Sequence, residues 1–139
     1  MFVHRDFHVS NLMLVRDEIG VIDSQDALIG NRAYDLASLI DDVRFRTNIK
    51  IKNYIFNEFI NKNKKLDLKK FRQDFEILSV LRNFKIIGIF TRLSVRDKKH
   101  KYLKLIPYAW QMINNRSANN PIFKDLNSLI NKYFEKKKH

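Results

Sequence analysis

The chain has 139 residues, 45% of them hydrophobic and 30% charged, with 11 Phe to fill an interior; this fits one folded domain that buries roughly two thirds of its unfolded surface, and excludes a disordered chain. The longest clean apolar run, Ile86-Ile87-Gly88-Ile89-Phe90, falls far short of the ~20 residues of a membrane span, and the absence of Cys removes disulfides, thiolate catalysis and Cys-bound zinc. A net charge of +12 invites nucleic acid or an anionic membrane, but residues 1–42 hold eight acids against three bases, a balance of −5, so the rest carries +17.

The opening Met1-Phe2-Val3-His4-Arg5-Asp6 has no basic start followed by an apolar stretch, so no secretory signal is expected and the chain reads as cytoplasmic. Leu12-Met13-Leu14-Val15 is a compact apolar run that predicts a strand. Arg16 to Gly20 reads as a turn, with Gly20 supplying backbone freedom, and Val21-Ile22 as a second short strand ending at Asp23. Two such strands suggest a hairpin that displays polar residues at its open end. Gly30 and its neighbours read as a further loop.

Helices are expected from there. Leu36, Leu39, Ile40 and Val43 follow i, i+3, i+4, i+7, with Asp35 in the N-cap position. A second helix is predicted over 49–61, where Ile51, Tyr54, Ile55 and Phe59 share a face, and Lys62-Asn63-Lys64-Lys65 is a polar connector. From Asp67 to about Arg96, Leu68, Phe71, Phe75, Leu78 and Leu81 mark a long helix or a helix pair with Gly88 as the candidate break. Another covers roughly 100–114, kinked or restarted at Pro107. The last begins at Asn120-Pro121, an N-cap and first-turn pair, and runs through Ile122, Leu126, Leu129, Ile130 and Tyr133 to a frayed Lys136-Lys137-Lys138 tail. The expected class is α+β, a small hairpin leading into a mostly helical body. Residues 1–42 form the candidate catalytic and metal-binding segment and 43–139 the helical body.

Chemistry concentrates in the acidic segment. His4-Arg5-Asp6-Phe7-His8-Val9-Ser10-Asn11 fits the kinase catalytic-loop pattern H-R-D-x-x-x-x-N at every specified position, and twelve residues later Ile22-Asp23 ends a strand. Phosphoryl transfer needs a carboxylate to orient and deprotonate the attacking hydroxyl, and oxygen ligands for magnesium on the phosphates. Asp6 suits the first task; Asn11 and Asp23 suit the second. Magnesium takes one or two carboxylates with phosphates and water, so a sparse protein set is enough.

Protein kinases carry Lys two residues after the catalytic Asp, where this chain has His8. The set His4-x-Asp6-x-His8-x-x-Asn11, then Ile22-Asp23-Ser24-Gln25-Asp26-Ala27, then Tyr34-Asp35-Leu36-Ala37 resembles the aminoglycoside phosphotransferase and choline kinase family. Within it the likeness leans toward bacterial kinases of N-acetylmuramate and N-acetylglucosamine. Leu81-Arg82-Asn83-Phe84-Lys85-Ile86-Ile87-Gly88-Ile89-Phe90-Thr91-Arg92-Leu93, and later Tyr102-Leu103 and Ile106-Pro107, also support it. The resemblance implies a protein-kinase-like C-terminal lobe, with ATP as co-substrate, Mg2+, and an amino sugar as acceptor. It implies Asp6 as catalytic base with His8 lining the transfer site, and Asn11 and Asp23 as magnesium ligands. His4 would brace the loop, Asp35 would tie its helix to the catalytic segment, and Asp26 would sit near the metal or support its ligands. Ser24 departs from the aromatic residue usual in the family.

Phosphate-cradling elements, a Gly-rich loop and a strand Lys, are not found among Gly20, Gly30 and Gly88. The chain is therefore expected to be one lobe of a larger kinase, with the nucleotide-binding lobe elsewhere and little activity alone. Two other readings compete. A metal-dependent hydrolase could use His4, Asp6 and His8 if alternate residues of a strand project to one side. A nucleic-acid-binding helical module would use the +17 part, though no nucleic-acid motif accompanies it. The acceptor itself has no signature in the helical part.

Overall fold

The computed structural model describes residues 1–134; the Lys136-Lys137-Lys138 tail lies outside them. In chain order the strands are β1 (Phe2–Val3), β2 (Leu12–Val15), β3 (Glu18–Val21) and β4 (Leu28–Ile29). The helices are α1 (Ala33–Ile40), α2 (Ile49–Lys62), α3 (Leu68–Asp97), α4 (Ile106–Ser117) and α5 (Lys124–Phe134). The class is α+β and mostly helical, as expected.

Strands β2 and β3 pair antiparallel, Leu12 opposite Val21 and Val15 opposite Glu18. Only Arg16 and Asp17 connect them, at φ 49° and 64°, because positive φ at both central positions gives a two-residue turn whose twist matches the strands. The turn expected over 16–20 is thus shorter. Glu18, Ile19 and Gly20 belong to the strand, Gly20 sits opposite Met13, and Ile22 falls just past the strand end. The loop expected around Gly30 includes a second antiparallel pair, β1 with β4, Phe2 opposite Ile29. Strands of two residues have no period to read.

Helix α1 begins before Asp35, which corrects its N-cap assignment. Asn31 provides the start: its Oδ1 accepts from Ala33 N–H at 3.0 Å and its carbonyl accepts from Tyr34 N–H at 3.0 Å. Asn48 and Asp67 cap α2 and α3 through their side-chain oxygens, 2.9 Å and 3.0 Å from the Ile51 and Lys70 amides. In α2 the expected face is rotated: Ile51 and Tyr54 are exposed, whereas Lys52 and Phe56 are buried, with Ile55 and Phe59 packed beside the core. A buried lysine occupies an inward position that apolar periodicity skips.

Helix α3 runs unbroken for 30 residues. Gly88 does not interrupt it, because its exposed position has buried Ile86 and Phe90 close by to anchor the helix, and a helical Gly costs only ~1 kcal/mol. Three clusters share α3 as their common wall. Phe71 and Phe75 meet α1 and Phe56; Ile86 and Phe90 meet Val43, Tyr108 and Met112; Val80 meets Ile113 and Phe123. Leu68 and Leu81 of the expected stripe are exposed instead. Pro107 starts α4 after a 3₁₀ turn, and Asn120 Oδ1 accepts from Ile122 N–H at 3.1 Å to open the final turn into α5. Phe123 is its buried anchor, while Ile122, Leu129 and Tyr133 are exposed. No helix among the described residues is long and apolar enough to cross a membrane.

Candidate active site

The pattern residues from His4 to Asn11 occupy an irregular loop between β1 and β2 that closes with a 3₁₀ turn at Val9–Asn11. Because β1 stops at Val3, His4, Asp6 and His8 do not alternate along a strand, and the hydrolase reading loses its geometric premise. No group of three or more His, Asp or Glu able to hold a metal occurs among the described residues.

Asp35 fixes the start of this loop. Its carboxylate accepts from the His4 amide at 2.7 Å and the Arg5 amide at 3.0 Å. Arg5 sits at φ 74°, a left-handed conformation that strains any residue with a Cβ, and these charge-assisted bonds hold it there. Asp35 thus links α1 to the loop while standing in the helix's first turn.

The open end of the hairpin is fastened to the same loop. The buried His4 ring donates from Nε2 to the Ile22 carbonyl at 2.9 Å, and the Ile22 amide donates to the Asn11 carbonyl at 3.0 Å. Ile22, the residue before Asp23, is therefore bonded to the loop through both its amide and its carbonyl. Asp23 follows at φ 65° and is exposed. Asn11 donates its Nδ2 to the Asp6 carbonyl at 2.9 Å, which also accepts the His8 amide at 3.0 Å. With its nitrogen committed, Asn11 has Oδ1 left to offer. Asp6 is half-buried, and its carboxylate has no ion pair among the described residues.

Asp26 contributes its backbone: its carbonyl accepts from Arg5 Nη1 at 3.3 Å, and its exposed carboxylate has no partner among the described residues. Ser24 is exposed, in a turn closed by the Ala27 amide on its carbonyl. His8 is half-buried. Burial pushes its imidazole below the ordinary histidine value, and the guanidinium of Arg44 and then that of Arg82 add to this, against the opposing Asp42 and Asp6 carboxylates.

Sequence reasoning missed the charges behind His8. Asp41 and Asp42 directly follow α1, both 1% exposed. Asp41 accepts from Lys52 at 2.8 Å, Ser79 at 2.6 Å and Arg116 at 3.0 Å, a fully used carboxylate under the helical body. Asp42 turns the other way: its Oδ1 takes the Arg44 amide at 3.1 Å and Nη1 at 3.4 Å. Arg82, buried in the middle of α3, donates to the Asp41 carbonyl at 3.5 Å. An Arg-Asn pair inside an apolar helical run, and two adjacent acids ending an apolar helix, were the available signals.

Residues 1–59 match the profile of the phosphotransferase enzyme family. The chain is also similar to N-acetylmuramate/N-acetylglucosamine kinases. It is 40% identical over 113 residues to that of Neisseria meningitidis serogroup B, covering 77% of this chain and 34% of that protein. It is 32% identical over 136 residues to that of Pseudomonas aeruginosa, covering 94% and 40%, and 29% identical over 138 residues to that of Caulobacter vibrioides, covering 96% and 38%. The chain spans two fifths or less of the length of these curated relatives. The candidate loop, the hairpin end and α1 all lie inside the segment that matches the phosphotransferase enzyme family, and the likeness to N-acetylmuramate/N-acetylglucosamine kinases extends over most of the chain.

Proposed function

We propose that this chain is the C-terminal, catalytic part of a small-molecule kinase with a protein-kinase-like fold, one that transfers the γ-phosphate of ATP to a hydroxyl of an amino sugar such as N-acetylmuramate or N-acetylglucosamine. The observation that carries the reading is the double fastening of Ile22, which brings Asp23 to the loop that holds Asp6 and Asn11. In this reading Asp6 supplies the general base and Asn11 and Asp23 the two oxygen donors, all in the segment that matches the family.

In this reading Asp6 accepts the proton of the acceptor hydroxyl as its oxygen bonds the γ-phosphorus and the bond to ADP breaks. Asn11 Oδ1 and the Asp23 carboxylate would hold Mg2+, an ion that needs only a sparse protein set when phosphates are bound. What the ion supplies is neutralisation of the charge on the phosphates. The donor set fits: one amide oxygen beside a committed Nδ2, and one carboxylate with no ion pair among the described residues. His8 lines the transfer site, while His4 and Asp35 brace the loop; Asp26 supports it through its carbonyl. The groups that cradle the nucleotide would come from a separate N-terminal lobe, and the enzyme would work in the cytoplasm.

Mg2+-dependent binding of ATP by the enzyme that contains this chain, weakened by Asp23→Ala, tests the reading. Tight zinc binding without nucleotide affinity would point to a hydrolase instead. Affinity for RNA or DNA that falls steeply with salt and ignores Asp6→Asn would favour a nucleic-acid module.

A further inference from the structure

Positive charge in the helical body is not all neutralised there. A polar cavity of about 250 Å3 opens between α2, α3 and α4, and three cations line it, Lys52, Arg72 and Arg116. Lys52 and Arg116 both pair with the buried Asp41, at 2.8 Å and 3.0 Å, so one carboxylate is shared between two cations. Arg116 uses Nε and Nη2 for that pairing, and its Nη1 has no partner among the described residues. Arg72 has no ion pair among the described residues. Its guanidinium lies over the Phe56 ring at 4.8 Å, and that of Arg116 over the Phe75 ring at 4.9 Å. The two rings meet edge-on with their centres 5.0 Å apart, so both guanidinium groups rest on neighbouring rings of the same cavity. Glu76 is the one acid among the lining residues, and its Oε2 accepts from Asn120 at 2.6 Å. With Asp41 and Glu76 both counted, the cavity keeps a surplus of positive charge.

We propose that this cavity is a second ligand site, which takes a small phosphate monoester of the size of a sugar phosphate. Guanidinium groups match the paired oxygens of a phosphate, and a nearby ammonium adds a point charge. Arg72 and Nη1 of Arg116 supply donors that no acid among the described residues occupies. Asn53 and Asn57 also line the cavity, and four residues apart on α2 they share one side of that helix. Their amides offer donors and acceptors to sugar hydroxyls, and the second oxygen of Glu76 accepts from another. The volume lies below the ~300–1,000 Å3 of sites for drug-sized ligands, which suits a monosaccharide phosphate and is too small to enclose a nucleoside triphosphate. No residue before Ile40 lines the cavity, so it is separate from the edge that carries Asp6, Asn11 and Asp23. A sugar phosphate is also the class of product that the proposed transfer would release; only that link rests on the kinase reading.

Titration calorimetry on the full chain, in phosphate-free buffer near neutral pH, tests this with N-acetylglucosamine 6-phosphate, inorganic phosphate and N-acetylglucosamine as probes. The sugar phosphate should bind more tightly than inorganic phosphate, and any binding of the bare sugar should be indifferent to Arg72→Gln. Arg72→Gln should weaken sugar-phosphate binding by about tenfold to a hundredfold, the scale of one charge-assisted hydrogen bond. Arg92→Gln removes the same charge from an exposed position elsewhere on α3 and should leave binding unchanged. Asn57→Ala should lower affinity for the sugar phosphate and not for inorganic phosphate. Equal weakening by Arg72→Gln and Arg92→Gln would mean attraction to the net charge of the chain and would overturn the proposal. So would the absence of binding by either phosphate, or inorganic phosphate bound as tightly as the sugar phosphate. Binding lost in Asp6→Asn but kept in Arg72→Gln would put the ligand at the transfer edge and overturn it too. The expected pattern in an enzyme that transfers no phosphate would support the cavity site and count against the kinase reading alone.

Discussion

Removing the Asp35 carboxylate attacks the point from which the whole loop is held. The carboxylate accepts two backbone amides, His4 at 2.7 Å and Arg5 at 3.0 Å, in a partly buried setting. Hydrogen bonds to a charged group contribute about 1.5–3 kcal/mol each, so the pair is worth roughly 3–6 kcal/mol. Arg5 is held at φ 74°, and freeing it returns roughly 1–2 kcal/mol. Asp35→Ala should therefore lose about 2–4 kcal/mol in urea denaturation, and Asp35→Asn, which keeps one acceptor oxygen, about half as much. Native-state hydrogen exchange should show the His4 and Arg5 amides losing their protection in Asp35→Ala first. Arg5→Gly is the internal control, because glycine takes that φ without strain; it should be neutral or stabilising by about 1 kcal/mol. An Asp35→Ala loss below about 1 kcal/mol, or His4 and Arg5 amides that exchange in wild type as fast as those of the Arg16-Asp17 turn, would refute this reasoning.

Other consequences are equally specific. Burial alone would raise the Asp41 carboxyl, but Arg116 and Lys52 more than reverse this and hold it below its ordinary value. A carboxyl whose folded pKa lies below the unfolded value of about 3.9 contributes stability that is complete above that value and drains away as pH falls through the folded one. Asp41→Asn should cost about 3–5 kcal/mol at pH 7 by leaving the buried Lys52 and the half-buried Arg116 short of a counter-charge, and should flatten the acid limb below about pH 4; urea melts at pH 7 and pH 3 check both. Asp23→Ala should raise the Mg2+ concentration for half-maximal nucleotide binding by about tenfold, measured by titration calorimetry in the enzyme containing this chain. Gly88→Ala should stabilise by about 0.5–1 kcal/mol, since an added Cβ meets nothing within 4 Å, and a lower thermal midpoint would contradict that.

Much of the candidate site was legible because its residues are close in sequence and of unmistakable chemical type. The loop from His4 to Asn11 and the strand end at Asp23 carry polar groups where a purely structural segment would not need them, and a hairpin brings the two ends together. The hairpin's turn was read too long because Gly20 looked like the hinge, whereas Arg16 and Asp17 take the positive φ values. Asp35 looked like a cap because short acidic residues before an apolar run usually are; its long-range bonds to His4 and Arg5 span some thirty positions that no local pattern encodes. Lys52 and Arg82 were invisible as interior residues for a related reason. Their burial depends on acids at the end of another helix, and a pattern that scores lysine and arginine as outward turns α2 and the middle of α3 the wrong way. Val43, Phe71, Phe75, Leu36 and Ile40, by contrast, lie inward or at the core as their spacing predicts.

The most direct measurement follows label from the γ-position of ATP into N-acetylglucosamine and N-acetylmuramate, using the enzyme that contains this chain and its Asp6→Asn variant. The site described above predicts Mg2+-dependent formation of the sugar phosphate, slowed by about 10²–10⁴-fold in the variant as expected for loss of a positioned general base. Transfer at an undiminished rate by Asp6→Asn would contradict it, as would a wild-type enzyme that binds Mg2+ and ATP but phosphorylates no amino sugar.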